Sequence, residues 1–250
     1  MKNLLVKLIT TTTILTSGGQ AVKGYTFGDR TSFAFLGKAK ELIQLQRVQM
    51  LEKERIERLK EQKRLSDLHK ITYDYNDLRV KSNITSKILK GYLESNTSFG
   101  EVLNDFHERG TNLDSIASSY VDAEQKYGVN ALYLVAITLE ESGRGTSELT
   151  ITHNNISGTR ITDDEGSYVY KYFNSLEECI DYTARNLAFN YLDTTGTYHN
   201  GFSLYAVNSR YCFLADNVTV DRDWGEKVQA IVDEIYRFLK NEERKLCVQN

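Results

Sequence analysis

Apolar positions from Leu42 to Leu78 recur in steps of three and four: Leu42, Leu45, Val48, Leu51, then Ile56, Leu59, then Leu65, Leu68, Ile71, Tyr75 and Leu78. That spacing predicts a helix with one narrow apolar stripe over residues 38–80. The breaks at Leu51–Ile56 and Leu59–Leu65 interrupt a strict heptad, so any coiled coil here is irregular. Residues 82–110 read as short helices joined by loops at 96–100 and 109–112. Ile116, Ala117, Tyr120 and Ala123 then form one face of a helix capped by Asp114 or Ser115, with Gly128 in the place of a left-handed C-terminal residue. From Ala131 to about Ser142, opened by Asn130, the chain is apolar nearly all round, which predicts a buried helix. Residues 166–173 alternate and favour a strand. With Arg160-Ile161-Thr162 they predict a β-hairpin turning at Asp163–Gly166. Asn174 or Ser175 caps a helix to about Asn190, with Glu177 or Glu178 set for a capping box, and a last helix spans about Asp223 to Leu239. The class is α+β, mainly α, with a small hairpin lobe.

Composition narrows the picture. A chain of 250 residues allows one or two domains, and 40% apolar with 26% charged residues supports a packed core. The absence of Pro excludes a Pro-rich linker and suits long helices. A net charge of −3 gives no reason to expect nucleic-acid binding. Locally, Lys38 to Arg64 carries nine Lys/Arg against five Glu, an excess of +4 that either attracts anionic polymers or is a solvated face. Self-association through residues 38–80 is the further partner expectation. At the N-terminus, Lys2 and Lys7 bracket Leu4, Leu5, Val6, Leu8 and Ile9, and Gly19-Gln20-Ala21 follows. Residues 1–21 therefore read as an export signal, with a membrane anchor as the alternative. Cys179, Cys212 and Cys247 lack ligand-like spacing, and His69, His107, His153 and His199 are scattered, so no metal or cofactor is expected. Cys179 and Cys212 can meet if the helix after the hairpin packs near Tyr211.

The candidate chemistry gathers at the end of the buried helix. Glu140 and Glu141 follow an almost unbroken apolar run, where desolvation and the negative end of the helix dipole both favour a protonated carboxyl. Neighbouring helical residues point about 100° apart, so one of the two can face a given cleft. The plain structural alternative is a helix terminus paired with Arg144.

The stretch KYGVNALYLVAITLEESGRGTS, Lys126 to Ser147, resembles the catalytic segment of the bacterial endo-β-N-acetylglucosaminidases of glycoside hydrolase family 73. Glu141 matches that family's acid, and Glu140 falls on the preceding, variable position. His153–Thr159 resembles its Asn-Asn-containing turn, and Tyr172–Glu178 its strand-to-helix junction. Ser209–Cys212 followed by Asp223–Val228 is similar to its late Tyr motif and terminal helix. The likeness covers residues 85–240, with 241–250 left as a tail. Ser157 and Thr159 depart from the usual Phe and Ile of the turn.

The resemblance implies a lysozyme-like domain that cuts the glycan strands of peptidoglycan, secreted or cell-wall associated, with Glu141 as general acid. It implies that Tyr211 positions the sugar or stabilises its acetamido group. A second carboxylate is sought on the hairpin, with Asp163, Asp164 and Glu165 as candidates, unless the substrate's own N-acetyl oxygen stabilises C1. Those three residues are also ordinary turn chemistry. Tyr168, Tyr170 and Tyr172 share a face and can stack on sugar rings, although at least one is expected in the core. Asn154 and Asn155 suit sugar hydroxyls or simply permit the turn, and Arg144 is a further substrate-binding candidate. The competing functions are a lytic transglycosylase or muramidase on the same fold, and a non-catalytic wall-binding or assembly module.

Overall fold

The computed structural model describes residues 30–95, 112–212 and 221–249. The expected export signal, the loops between residues 96 and 111 and His107 lie outside them. The chain divides into two units, one ending at Arg58 and one beginning at Leu59. Helix α1 (Arg30–His69) supplies the described part of the first unit, where Leu42, Leu45, Val48, Leu51 and Ile56 are all exposed. Local pairs such as Arg55–Glu52 at 3.7 Å support a helix of this polarity. Among the described residues no helix is long and apolar enough to cross a membrane.

The second unit follows with α2 (Ser86–Ser95), α3 (Leu113–Tyr127), α4 (Ala131–Glu141), α5 (Glu148–His153), β1 (Arg160–Thr162), β2 (Tyr168–Tyr170) and α6 (Leu176–Asn186). A π-helical turn (Leu187–Leu192), α7 (Leu204–Tyr211) and α8 (Arg222–Gln249) complete it. Helix α4 is the axis of this unit. Every residue from Ala131 to Leu139 is buried, as its all-round apolar pattern predicts, and α8, α3 and α6 pack against it. Leu89, Leu93, Ile116, Phe173, Ile180, Val228, Val232 and Ile235 fill the space around it.

Caps fix both ends of α3 and the start of α4. Asn112, rather than Asp114 or Ser115, caps α3 by accepting the Ser115 N–H, and Gly128 closes it at φ 71°. Asn130 caps α4 as expected, accepting from the N–H groups of Leu132 and Tyr133, while its amide donates to the Val80 carbonyl at 2.7 Å. The buried Glu124 carboxylate accepts the backbone N–H groups of Ser82 (2.9 Å) and Ala131 (2.7 Å) and the Ser82 hydroxyl. One acid thereby joins α3, α4 and the chain before α2.

The three-and-four pattern runs further than the helix that forms. Helix α1 stops at His69, and Ile71 and Leu78 enter the core from a turn-rich connection. The cause is local: Asp74 takes the N–H of Asn76 and Asp77 takes the N–H of Arg79, contacts that compete with helix. Helix α8 departs the other way. It continues through the expected tail to Gln249, held by Arg64–Glu242, His69–Glu243 and Lys240–Glu243 pairs and by the buried Leu246.

The hairpin forms with Arg160 opposite Tyr170, Ile161 opposite Val169 and Thr162 opposite Tyr168. No face of it is buried. Tyr168, Tyr170 and Tyr172 are 80%, 41% and 59% exposed, which overturns the expectation that at least one is core. A two-stranded ribbon has no second layer to cover its rings. Arg160 lies 4.7 Å above the Tyr170 ring and donates to its hydroxyl.

Replacing Glu124 with Ala strips three buried donors of their acceptor. The expected loss is about 3 kcal/mol, read as a lower denaturant midpoint with an unchanged slope.

Candidate active site

Glu141 is the last residue of α4, and the turn after it decides where its side chain goes. Gly143, Arg144 and Gly145 are consecutive left-handed residues with φ of 56°, 60° and 87°. The Arg144 N–H donates to the Leu139 carbonyl at 2.7 Å, and the Ser142 hydroxyl donates to Thr138 O while accepting the Gly145 N–H. The chain thus leaves the helix end sharply, and Glu141 faces α8.

There Trp224, the chain's single tryptophan, donates its indole N–H to Glu141 Oε1 at 2.7 Å. On the other side, a Cβ on Gly158 would lie 3.4 Å from Oε2. The Trp224 ring stacks on Tyr211 at 4.9 Å and 29°. Tyr211 meets Tyr191 at 5.4 Å, and Tyr191 meets Tyr198 at 5.2 Å. Tyr191 reaches this cluster from the π-helical turn, and Gly196 lets the following loop close over that turn. A Cβ on Gly196 would fall 2.6 Å from the carbonyls of Phe189 and Asn190.

Desolvation dominates the electrostatics. Burial pushes the Glu141 carboxyl up to about 7; the Trp224 N–H opposes that rise and the neighbouring Glu140 adds to it. Burial also raises the Tyr211 and Tyr191 phenols and the Cys212 thiol, the last to about 11, each with Glu141 as a nearby negative charge. Glu140 faces elsewhere, toward Lys227 Nζ at 3.7 Å. One carboxyl of the pair is therefore dehydrated and the other is in contact with a cation.

The remaining sequence candidates fall into place around this cluster. Arg144 does not pair with the Glu140–Glu141 couple; its guanidinium forks onto Glu234 at 3.0 and 2.6 Å, and Tyr92 donates to the same carboxylate. The Asn154 amide donates to the Phe173 carbonyl, with Asn154 itself left-handed at φ 50°. The Asn155 amide donates to Thr159 O and Lys171 O and accepts the Thr159 N–H, so both side chains brace the hairpin base. Asp164 and Glu165 are exposed at the hairpin tip, where Asp163 accepts the N–H groups of Glu165 and Ser167. Tyr172 is exposed, its ring 6.2 Å from that of His153. Ser157 fills the aromatic position of the turn with a polar contact, lying 2.7 Å from Thr159 Oγ1 and 3.5 Å from Cys179 Sγ. Cys179, buried, and Cys212, partly buried, are free thiols. Trp224 and Tyr191 were not singled out as site residues in the sequence. The lone Trp beside the apolar stripe of α8 is a usable signal, whereas a π-helical turn has none.

Residues 117–237 match the model of the glucosaminidase family, described as mannosyl-glycoprotein endo-beta-N-acetylglucosaminidase. This domain belongs to the glucosaminidase family. The glucosaminidase domain is similar to proteins named "Putative endo-beta-N-acetylglucosaminidase" from two strains of Streptococcus pneumoniae, with 28% identity over 123 residues in each. The match takes in 49% of this chain but 18% and 16% of those relatives, so the chain spans under a fifth of their length. Among solved structures, a catalytic mutant of S. aureus autolysin E in complex with the disaccharide NAG-NAM aligns at 19% identity and a TM-score of 0.49, over 70% of this chain and 78% of that one. The same autolysin with the muropeptide NAM-L-Ala-D-iGlu aligns at 18% identity, TM-score 0.47, with the same coverage.

A dehydrated carboxyl in the glucosaminidase domain has a measurable effect on stability. Its pKa is raised from 4.5 to about 7, so ionising Glu141 costs more in the folded chain than in the unfolded one. Its contribution is full below 4.5, declines as pH rises toward 7 and is lost above, a difference of about 3 kcal/mol. Glu141→Gln keeps an oxygen for Trp224 and removes the ionisation. Thermal melts are expected to show a higher Tm for this variant at pH 8 and no gain at pH 4.

Proposed function

We propose that the glucosaminidase domain hydrolyses β-1,4 glycosidic bonds of peptidoglycan glycan strands as an endo-β-N-acetylglucosaminidase, with Glu141 as the general acid. The observation that carries this reading is the carboxyl at position 141, largely withdrawn from water at the end of a buried helix, bound by the Trp224 indole N–H and pushed up to about 7 by burial. An acid with a pKa close to the working pH combines a high protonated fraction with a strong tendency to transfer. Cleavage needs a proton on the leaving oxygen while positive charge grows at C1 of the departing sugar. Glu141 supplies that proton and becomes a carboxylate, whose negative charge favours the oxocarbenium-like centre.

Tyr211 adjoins the acid through Trp224, and its phenol is kept protonated by burial, which suits a hydrogen bond to the sugar or its acetamido group. The exposed rings of Tyr168, Tyr170 and Tyr172 suit stacking on sugar faces along the hairpin lobe. Asp164 and Glu165, free of packing at the hairpin tip, are the proposed source of a base if a water is activated. An inverting route would put that base roughly 6.5–9.5 Å from the acid. Otherwise the substrate's acetamido oxygen takes the part. Arg144, forked onto Glu234, anchors the turn that follows the acid to α8. The place of action is the cell wall.

Purified peptidoglycan tests the reading. The parent protein is expected to release chains with reducing N-acetylglucosamine ends. Glu141→Gln is expected to lower that rate by roughly 10²–10⁴-fold. The parent's activity should fall as pH rises through about 7, where the acid loses its proton. Products ending in 1,6-anhydro sugars would instead establish a transglycosylase, and a parent that binds glycan without releasing ends would establish a binding module.

A further inference from the structure

The hydrogen bond between Trp224 and Glu141 carries more than a contact. An indole N–H can only donate. Its partner Oε1 therefore accepts in both ionisation states of the acid, and because the carbonyl oxygen of a protonated carboxyl is the better acceptor, this bond favours the hydrogen on the other oxygen. That other oxygen, Oε2, lies over Gly158, where a Cβ would stand 3.4 Å from it and glycine leaves that space clear. We propose that Trp224 is a positioning residue that locks the Glu141 carboxyl in one orientation, so that Oε2 is the oxygen that carries and delivers the catalytic proton. This deepens the reading of Glu141 as the acid and rests on it.

The balance of the step follows. The O–H bond at Oε2 breaks and its hydrogen joins the bridging glycosidic oxygen. The electron pair of the C1–O bond goes to that leaving oxygen. The electrons of the O–H bond stay on the carboxylate. As negative charge spreads over both oxygens, the bond from Trp224 becomes charge-assisted and strengthens. Trp224 therefore binds the product form of the acid more tightly than its starting form, which is the condition for lowering a barrier. The ring is held for this task by its stacking on Tyr211. The titratable groups around Glu141 are Glu140 on its own helix, Tyr191 on the π-helical turn, Tyr211 at the end of α7 and Cys212 just beyond it; Lys227 on α8 is engaged by Glu140. The phenols and the thiol stay neutral across the range in which Glu141 ionises, so near pH 7 the indole senses one titration.

Because the chain has a single tryptophan, its indole N–H gives one resonance in a nitrogen-15 correlation spectrum. In the full chain that proton is expected to move with pH, with a midpoint at about 7, and to stay flat in Glu141→Gln. A flat signal in the parent, or one that still titrates in Glu141→Gln, overturns the proposal. Trp224→Phe keeps an aromatic ring for Tyr211 and loses the donor. It is expected to lower kcat about tenfold, leave KM unchanged and move the alkaline limb of the rate profile upward by about one pH unit. Parent-like kcat and an unmoved limb in a folded variant overturn it as well. The two readings separate cleanly. A flat indole with an inactive Glu141→Gln sinks the positioning role alone, whereas an active Glu141→Gln sinks the acid itself and leaves the indole titration to report only the hydrogen bond.

Discussion

The withdrawal of one carboxyl from water organises this molecule. Placing Glu141 at the end of a helix with nine consecutive buried residues removes most of its hydration, and a single indole N–H returns part of it. The indole opposes the rise that burial causes, and a cation in its place would favour ionisation further. The elements that achieve the intermediate state are not local to one another. Helix α4 brings the acid, α8 the indole, α7 the ring beneath it and the π-helical turn the next ring outward. The core is therefore as much a device for setting one solvation energy as a source of stability.

How much of this could be read from the chain depended on the range of the interaction. The buried helix, its Asn130 cap, the Gly128 terminus and the hairpin are local patterns, and they appear where the residues predict. Glu141 stood out because an acid at the end of an apolar run is a local contradiction. What failed was pattern without context. The Ile71–Leu78 spacing suits a helix, but Asp74 and Asp77 win the backbone locally and the apolar residues reach the core by another path. The tyrosines of β2 alternate like a half-buried strand, but nothing is supplied to bury them. Helix α8 outran its expected end because its last turns depend on Arg64 and His69, far away in sequence.

Site residues separate along the same line. Asn154 and Asn155 belong to a motif that resembles a family signature, and their side chains are spent on carbonyl and amide groups of the hairpin base. They shape the wall of the site by fixing its backbone. The aromatic ribbon that they hold is anchored at its root and exposed along its length, with Arg160 over the Tyr170 ring. Buried polar side chains and exposed rings thus stand side by side along the same short stretch of chain.

The disposition of cations completes the argument. Arg144 lies three residues from the acid and Lys227 three residues from Trp224, close enough in sequence to suggest that either would neutralise Glu141. A cation in contact would lower the carboxyl by 1–3 pH units and abolish its use as a donor. Instead Glu234 takes both prongs of Arg144, whose left-handed backbone turns it away from the helix end, and Glu140 faces Lys227. The second glutamate of the Glu140–Glu141 pair therefore has a physical reason to be there: it occupies a lysine that would otherwise be available to the acid, while its own charge adds to the rise at position 141. Among the described residues, the uncharged indole is the strong donor on the acid, able to orient the carboxyl without forcing its proton off.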